Sequence, residues 1–379
     1  MKMERWLLAL WLLSIGGLAC MGTGGCRRSE GLNPAADIVI GATLPLTGDA
    51  AAWGKNTQDG IELALQGVNG QGGVRGRKVR VQYEDTRALA KDAVSAYNKL
   101  VSIDKVAAII DDSVSSCTLA MAPLATRDRV AILATGATAP SISGISPYVF
   151  RIWNSDAYEG EVAASHAVEI AGLKKLAILY INNDYGVGLR QVFAEQVQKK
   201  GGQIVATEAF DQSATDMRAQ LTKIKGAAPD GIYLVGYPKE IPIALRQAKE
   251  LGLNVAKIGT VAMQDEQLTK AAGDAAEGLV FPYPKEPLTE ETKRFKEAFK
   301  TKYGKEPGIT ADVGFDAVNM IVAAMKASSG AGGDQIRDGL KSLKDFPGAS
   351  GVMSFDTKGD VHKPMGMRLV KNGSFVWQE

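Results

Sequence analysis

From Asp37 onward the chain alternates short β-rich apolar runs with stretches of helical periodicity, and this alternation leaves few architectures open. The runs are DIVIGATLP (37–45), VRVQYEDT (79–86), VAAIID (106–111), VAILAT (130–135), LAILYIN (176–182), QIVATEAF (203–210), GIYLVGY (231–237), KIGTVAM (257–263) and GLVFPYP (278–284). Many are continuous apolar runs, as expected of strands whose two faces are both covered by helices. Between them Ile61, Leu65 and Val68, and later Phe295, Phe299 and Tyr303, recur at helical spacing. Strand–helix alternation of this kind builds right-handed βαβ units with parallel sheets. A length of 379 residues accommodates two such α/β sets. The first ends near FRIWNSD (150–156) and the second begins at LKKLAILYIN (173–182). The tail from Gly351 differs: turn pairs at Lys358-Gly359 and Asn372-Gly373 predict antiparallel hairpins.

The N-terminus has another character. Lys2 and Arg5 precede an uncharged apolar run from Trp6 to Ala19, too short for a confident membrane span but suited to a secretory signal. Small residues precede both Cys20 and Cys26, so residues 1–26 resemble a bacterial lipoprotein signal with either cysteine as the lipidated residue. Residues 27–36 would be a tether. The expectation is an exported, periplasmic or cell-surface protein that meets the membrane only through its lipid anchor. Beyond Cys26 the only cysteine is Cys117, so the exported body has no internal disulfide framework. Forty-four basic residues against 42 acidic ones, with no polybasic block, give no footprint for nucleic acid.

Most chemistry tested against the residues fails. His166 and His362 are the only histidines, and neither has a partner at metal-ligand spacing. There is no Gly-x-Ser-x-Gly elbow, and a Cys117 nucleophile would depend on one of two distant histidines for its base. GDAAAWGKNT (48–57) has the wrong glycine spacing for a phosphate loop. No catalytic role, metal or cofactor is therefore expected. What survives is a set of hydroxyls and aromatics at strand C-terminal ends, where open α/β sheets bind ligands. Ser113, Ser115, Ser116 and Thr118 follow one strand and open a helix, an arrangement that favours a carboxylate or similar anion. ATGATAP (134–140) offers Thr135 and Thr138 around Gly136 and Ala137, while Trp53, Tyr185 and Tyr237 follow other strands. Helix capping and ordinary half-buried aromatics account for any one of these taken singly. Asp111 and Asp112 sit awkwardly beside an anion site.

IGATLPLTGDAAAWGKNTQDGIELALQGVNGQGGVRGRKVRVQYEDT, followed in order by ATGATAP, FRIWNSDAYEG, NNDYGVGL, DGIYLVGYPKE, AAEGL and FDTKGD, resembles the branched-chain amino-acid-binding proteins of ABC importers. The resemblance covers essentially all the chain past Asp37. It implies a monomeric, two-lobed type I binding protein, with lobes of 37–155 plus 286–352 and 156–285 plus 353–379. Crossovers would lie near 154–157, 284–287 and 350–354. A membrane permease would receive the ligand, a small amino acid. The candidate contacts are Trp53, Asp112, Ser115, Ser116, Gly136, Ala137, Thr138, Asp156, Tyr185 and Tyr237. Ser115 and Thr138 would grip carboxylate and ammonium, so replacing both with alanine should abolish binding and leave the fold intact. One departure stands out: the acid that pairs with the ammonium in leucine-type proteins falls at Thr260-Val261-Ala262 here. Asp265 and Glu266 are displaced from it, which leaves Asp156 or Asp112 as substitutes. Without either, the ligand would be an aliphatic or aromatic acid lacking an amine. A ligand-sensing receptor module would share the same cleft.

Overall fold

The structure is a computed structural model that describes residues 36–378 apart from 49, 112, 113 and 329. The signal segment, Cys20, Cys26, the tether up to residue 35 and Asp112 lie outside the described residues. Among the described residues no helix is long and apolar enough to cross a membrane.

The first sheet contains β1 (Ile38–Leu44), β2 (Val79–Asp85), β3 (Ala108–Asp111), β4 (Ala131–Ala134) and β5 (Val149–Arg151). They run parallel in the order β2-β1-β3-β4-β5. The second sheet contains β6 (Lys175–Ile181), β7 (Gln203–Phe210), β8 (Gly231–Val235), β9 (Ala256–Ile258) and β10 (Leu279–Pro284). After a separate two-stranded hairpin of β11 (Phe346–Gly348) and β12 (Gly351–Met353), the chain adds β13 (Met365–Lys371) and β14 (Ser374–Trp377) to the second sheet. Its order is β14-β13-β10-β9-β8-β6-β7, antiparallel only at the β10–β13 and β13–β14 pairings. Eight of the nine apolar runs read from the sequence coincide with a strand; in the ninth, 257–263, only the first two residues belong to β9 and Val261–Met263 form a helical turn.

Burial follows position in the sheet. The central strands β3, β4 and β8 are buried at every residue, whereas the edge strands β2 and β7 are mostly half-exposed. Helices Ala51–Gly70 and Ala311–Ala327 cover one face of the first sheet, burying Ile61, Val318 and Ile321 against Ile40, Ile110 and Leu133. The core on its opposite face is continuous with that of the second sheet, joining Tyr97, Ile109 and Met121 to Ile178, Phe193 and Tyr233.

The chain passes between the sheets three times. Asn154 ties two of these passages with paired bonds: its Nδ2 donates to the Lys363 carbonyl at 2.8 Å and its Oδ1 accepts from the Lys363 amide at 2.8 Å. The third is joined by the Lys285 amide, which donates to the Pro364 carbonyl at 2.7 Å.

The tail departs from its reading in two places. Asn372 and Gly373 both have positive φ (53° and 70°) and close the β13–β14 hairpin, as that turn type demands. Lys358-Gly359, however, closes no hairpin: Asp360 instead forms a parallel bridge to Arg151. Met353, Phe355 and Val361 still pack in the core of the first sheet, so the last passage begins after Val361 and not at 350–354. The cause is the buried Arg151–Asp360 ion pair at 2.8 Å, which holds this segment against β5.

Candidate functional site

The two sheets face each other across a cleft lined by Trp53, Val114, Ser115, Gly136, Thr138, Trp153, Tyr185, Tyr237, Val261, Ala262, Ile309 and Thr310. Six of the ten sequence candidates meet there: Trp53, Ser115, Gly136, Thr138, Tyr185 and Tyr237. Ser116 and Ala137 are not among the lining residues: Ser116 is half-buried and Ala137 is packed into the core. Asp156 lies behind the wall, fully buried.

Ser115 is the first residue of helix Ser115–Asp128, directly after the β3 turn. Its Oγ accepts from the amides of Thr138 at 3.2 Å and Ala139 at 3.1 Å. With its lone pairs engaged, the hydroxyl presents its proton as a donor. The Cys117 amide already donates to the Val114 carbonyl at 2.8 Å, so further donors at this helix start come from the Ser115 and Ser116 amides before it. Asp111 is no threat to an anion here. It is buried, and its carboxylate accepts from the hydroxyls of Thr43 and Thr118, turned away into the sheet.

The loop after β4 is held from below by Arg151, which is wholly buried. One guanidinium nitrogen of Arg151 donates to the carbonyls of Thr138 (2.8 Å) and Ala139 (2.9 Å), a second to Ser143 Oγ (2.8 Å), and Nε to Asp360 (3.0 Å). The Asp156 amide also donates to the Thr138 carbonyl at 2.9 Å. Thr138 is thus fixed in place before any ligand arrives.

The second sheet contributes an aromatic wall. Tyr185 and Tyr237 stack with centroids 5.6 Å apart and planes 12° from parallel, and Trp53 meets Tyr237 edge-on at 5.7 Å. Asn183 caps helix Asp184–Lys199 by accepting from the Gly186 amide, and its Nδ2 donates to Tyr237 Oη at 3.0 Å. Tyr185 Oη donates to Thr260 Oγ1 at 2.8 Å. Trp53 and Tyr237 thus bring the two walls into contact.

Two buried carboxylates stand behind that wall on helix Asp156–Ser165. Glu159 Oε1 accepts from the Val261 amide at 2.9 Å, while its Oε2 has no hydrogen-bond partner and the Asp156 carboxyl lies beside the Thr138 hydroxyl. Burial pushes the Asp156 carboxyl up to about 7, although the neighbouring Thr138 hydroxyl and the Arg151 charge both favour its ionised form. Burial, reinforced by the adjacent Asp156, holds Glu159 well above the usual carboxylate range. The indole N–H groups of Trp53 and Trp153, both lining the cleft, are likewise buried without a partner.

The sequence reading missed Val114, Trp153, Ile309 and Thr310 as lining residues. Trp153 stood within the FRIWNSD landmark and could have been found there. Ile309 and Thr310 come from a loop more than 250 residues from Trp53, whose carbonyl accepts from Thr310 Oγ1 at 3.2 Å. Thr310 holds φ at 72°, a left-handed conformation that a β-branched residue adopts only under constraint. Cys117 is wholly buried among apolar side chains.

A family profile described as "Periplasmic binding protein" matches residues 37–374. A curated relative, the leucine-, isoleucine-, valine-, threonine- and alanine-binding protein of Pseudomonas aeruginosa, is 28% identical over 330 residues, covering 86% of this chain and 88% of its own. The crystal structure of a leucine binding protein from Thermotoga maritima is similar with a TM-score of 0.85 and 30% identity, over 90% of this chain and 98% of that one. A solute binding protein of an ABC transporter from Rhodopseudomonas palustris BisB5, solved with 3,4-dihydroxybenzoic acid, has a TM-score of 0.79 and 27% identity, over 88% of this chain and 93% of that one.

Proposed function

The chain belongs to the periplasmic binding protein family, and from that premise we propose that it is the exported substrate-binding protein of an ABC importer, capturing a small aliphatic amino acid between its two lobes and delivering it to a membrane permease. The observation that carries this reading is the division of labour across the cleft. One sheet offers hydrogen-bond donors at Ser115, Thr138 and the first turn of a helix, and the other offers an aromatic wall. A ligand carboxylate would take the Ser115 proton and the helix amides, which need no rearrangement to receive it. The side chain would lie among Trp53, Val261 and Ile309, where one methylene is worth about 1–3 kcal/mol, so several aliphatic side chains fit one pocket. Because contacts come from both lobes, the ligand binds the closed form better and shifts the population towards it. The ligand leaves chemically unchanged. The protein works as a monomer held at the membrane by a lipid on Cys20 or Cys26.

A second reading has its own support. Val261 and Ala262 occupy the stretch where leucine-type proteins carry an acid, and the similar Rhodopseudomonas protein was solved with an aromatic acid. A carboxylate without an amine would suit such a wall. A thermal-shift screen of the full-length protein against amino acids and against aliphatic and aromatic acids separates the two. A ligand at 100-fold excess over Kd adds about 2.7 kcal/mol of stability. Stabilisation by leucine, isoleucine or valine supports the first reading, and stabilisation by benzoates alone overturns it.

A further inference from the structure

We infer that Glu159, together with Asp156, is the charge partner of the ligand's ammonium and so the residue that selects amine-bearing acids over plain carboxylates. This rests on the amino-acid reading of the cleft and narrows its ligand class. Three observations converge. Glu159 has no solvent exposure, yet its Oε1 bonds to the amide of Val261, a residue whose side chain lines the cleft where an acid was expected. The carboxylate missing from the 261 side chain is thus delivered to the same turn from behind, by the helix Asp156–Ser165. Second, Asp156 stands one helical turn before Glu159, and its amide is bonded to Thr138, which lines the opposite side of the cleft. Third, Glu159 Oε2 is buried without a hydrogen-bond partner, and the Asp156 carboxyl has only the neighbouring Thr138 hydroxyl to donate to it. A buried carboxylate is costly to ionise unless paired, and an ammonium would supply the positive charge and the donors that this pair lacks.

The groups facing the pair come from every element around it. Arg151 is committed to the Thr138 and Ala139 carbonyls and to Asp360, and it stands as a counter-charge to Asp156 alone. Tyr185, Tyr233 and Tyr237 present neutral phenols, and burial raises each of them further above its ordinary range. Glu159 has no cation among the groups acting on it, and its raised proton affinity is the expected state of a receptor for positive charge without its ligand.

The test compares L-leucine with 4-methylpentanoate, the same carbon skeleton without the amine, by calorimetry on full-length wild type and Glu159→Gln. The glutamine keeps the shape and the acceptor for the Val261 amide and removes only the charge. The expected result is a loss of roughly 100-fold or more in leucine affinity, with 4-methylpentanoate changed by less than about threefold. Equal losses for both ligands would mark Glu159 as structural, and unchanged leucine affinity would also overturn the inference. Wild type that binds 4-methylpentanoate but not leucine removes the amino-acid reading itself, a separate outcome visible before any variant is made. Should Glu159→Gln fail to fold, wild type still decides: near pH 6, below the value of about 7 to which burial pushes Asp156, leucine should release protons. The heats would then differ between phosphate and imidazole buffers of the same pH. Equal heats in the two buffers overturn the inference.

Discussion

Ser115 carries a structural load that its sequence reading did not include. Its place after a strand and before a helix marked it as a donor to an anion. The structure adds that its Oγ is the acceptor for two buried amides, Thr138 and Ala139. Ser115→Ala should therefore cost at least about tenfold in ligand affinity and also about 1–3 kcal/mol of stability, since each orphaned amide keeps its desolvation penalty. The double substitution with Thr138→Ala, expected from the sequence to leave the fold intact, should lower stability by at least as much. Urea unfolding of the ligand-free variant checks it; an unshifted midpoint would refute the account of the loop. Asp156 makes a second prediction. Its folded carboxyl sits near 7 against an ordinary 3.8 because burial penalises its charge. The folded state then keeps a proton that the unfolded chain releases, so this group's contribution to stability is full below about 4 and is lost as pH rises towards 7. Asp316, raised to about 6 by burial, acts in the same direction. Asp156→Asn should make the fall in melting temperature between pH 5 and 7 shallower without abolishing it, and an unchanged slope would count against the assignment. Neither Arg151 nor Glu159 was singled out from sequence as a functional group, because a buried charge has no local signature. Only the tertiary partners distinguish it from a surface one.

At the scale of elements, the strands were legible and their partners less so. Continuous apolar runs marked β3, β4 and β8 because both their faces are covered, a pattern strong enough to survive without tertiary information. The Lys358-Gly359 turn was misread because its local chemistry suits a hairpin, whereas Arg151 recruits the following Asp360 into a bridge 209 residues away in sequence. The loop carrying Ile309 and Thr310 was invisible for the same reason. Helix Asp184–Lys199 offers a test of closure at this scale. Gly188 faces Pro140 of the other lobe, and a Cβ at Gly188 would lie 2.9 Å from the proline ring. A proline ring gives way poorly, so Gly188→Val should prop the lobes apart. It should weaken ligand binding by about tenfold while leaving the ligand-free melting temperature within a degree or two, because valine in a helix costs under about 1 kcal/mol. Small-angle scattering of the liganded variant should show the extended form, and a compact liganded form would refute the contact's role.

The molecule as a whole couples two rigid sheets through three adjacent passages. Hydrogen bonds among Asn154, Lys285, Lys363 and Pro364 tie those passages together, the arrangement that hinge closure of two lobes requires. On the proposed reading, donors on one wall and aromatics on the other would make binding and closure a single event, and the buried pair Asp156 and Glu159 would give that event a charge preference. The most direct test is a calorimetric titration of the full-length protein with L-leucine, L-isoleucine and L-valine, run beside benzoate and 4-methylpentanoate. One saturable site per chain for at least one of the amino acids, lost in Ser115→Ala, is the result this account predicts. Binding of the carboxylates with no measurable heat from any of the three amino acids would contradict it.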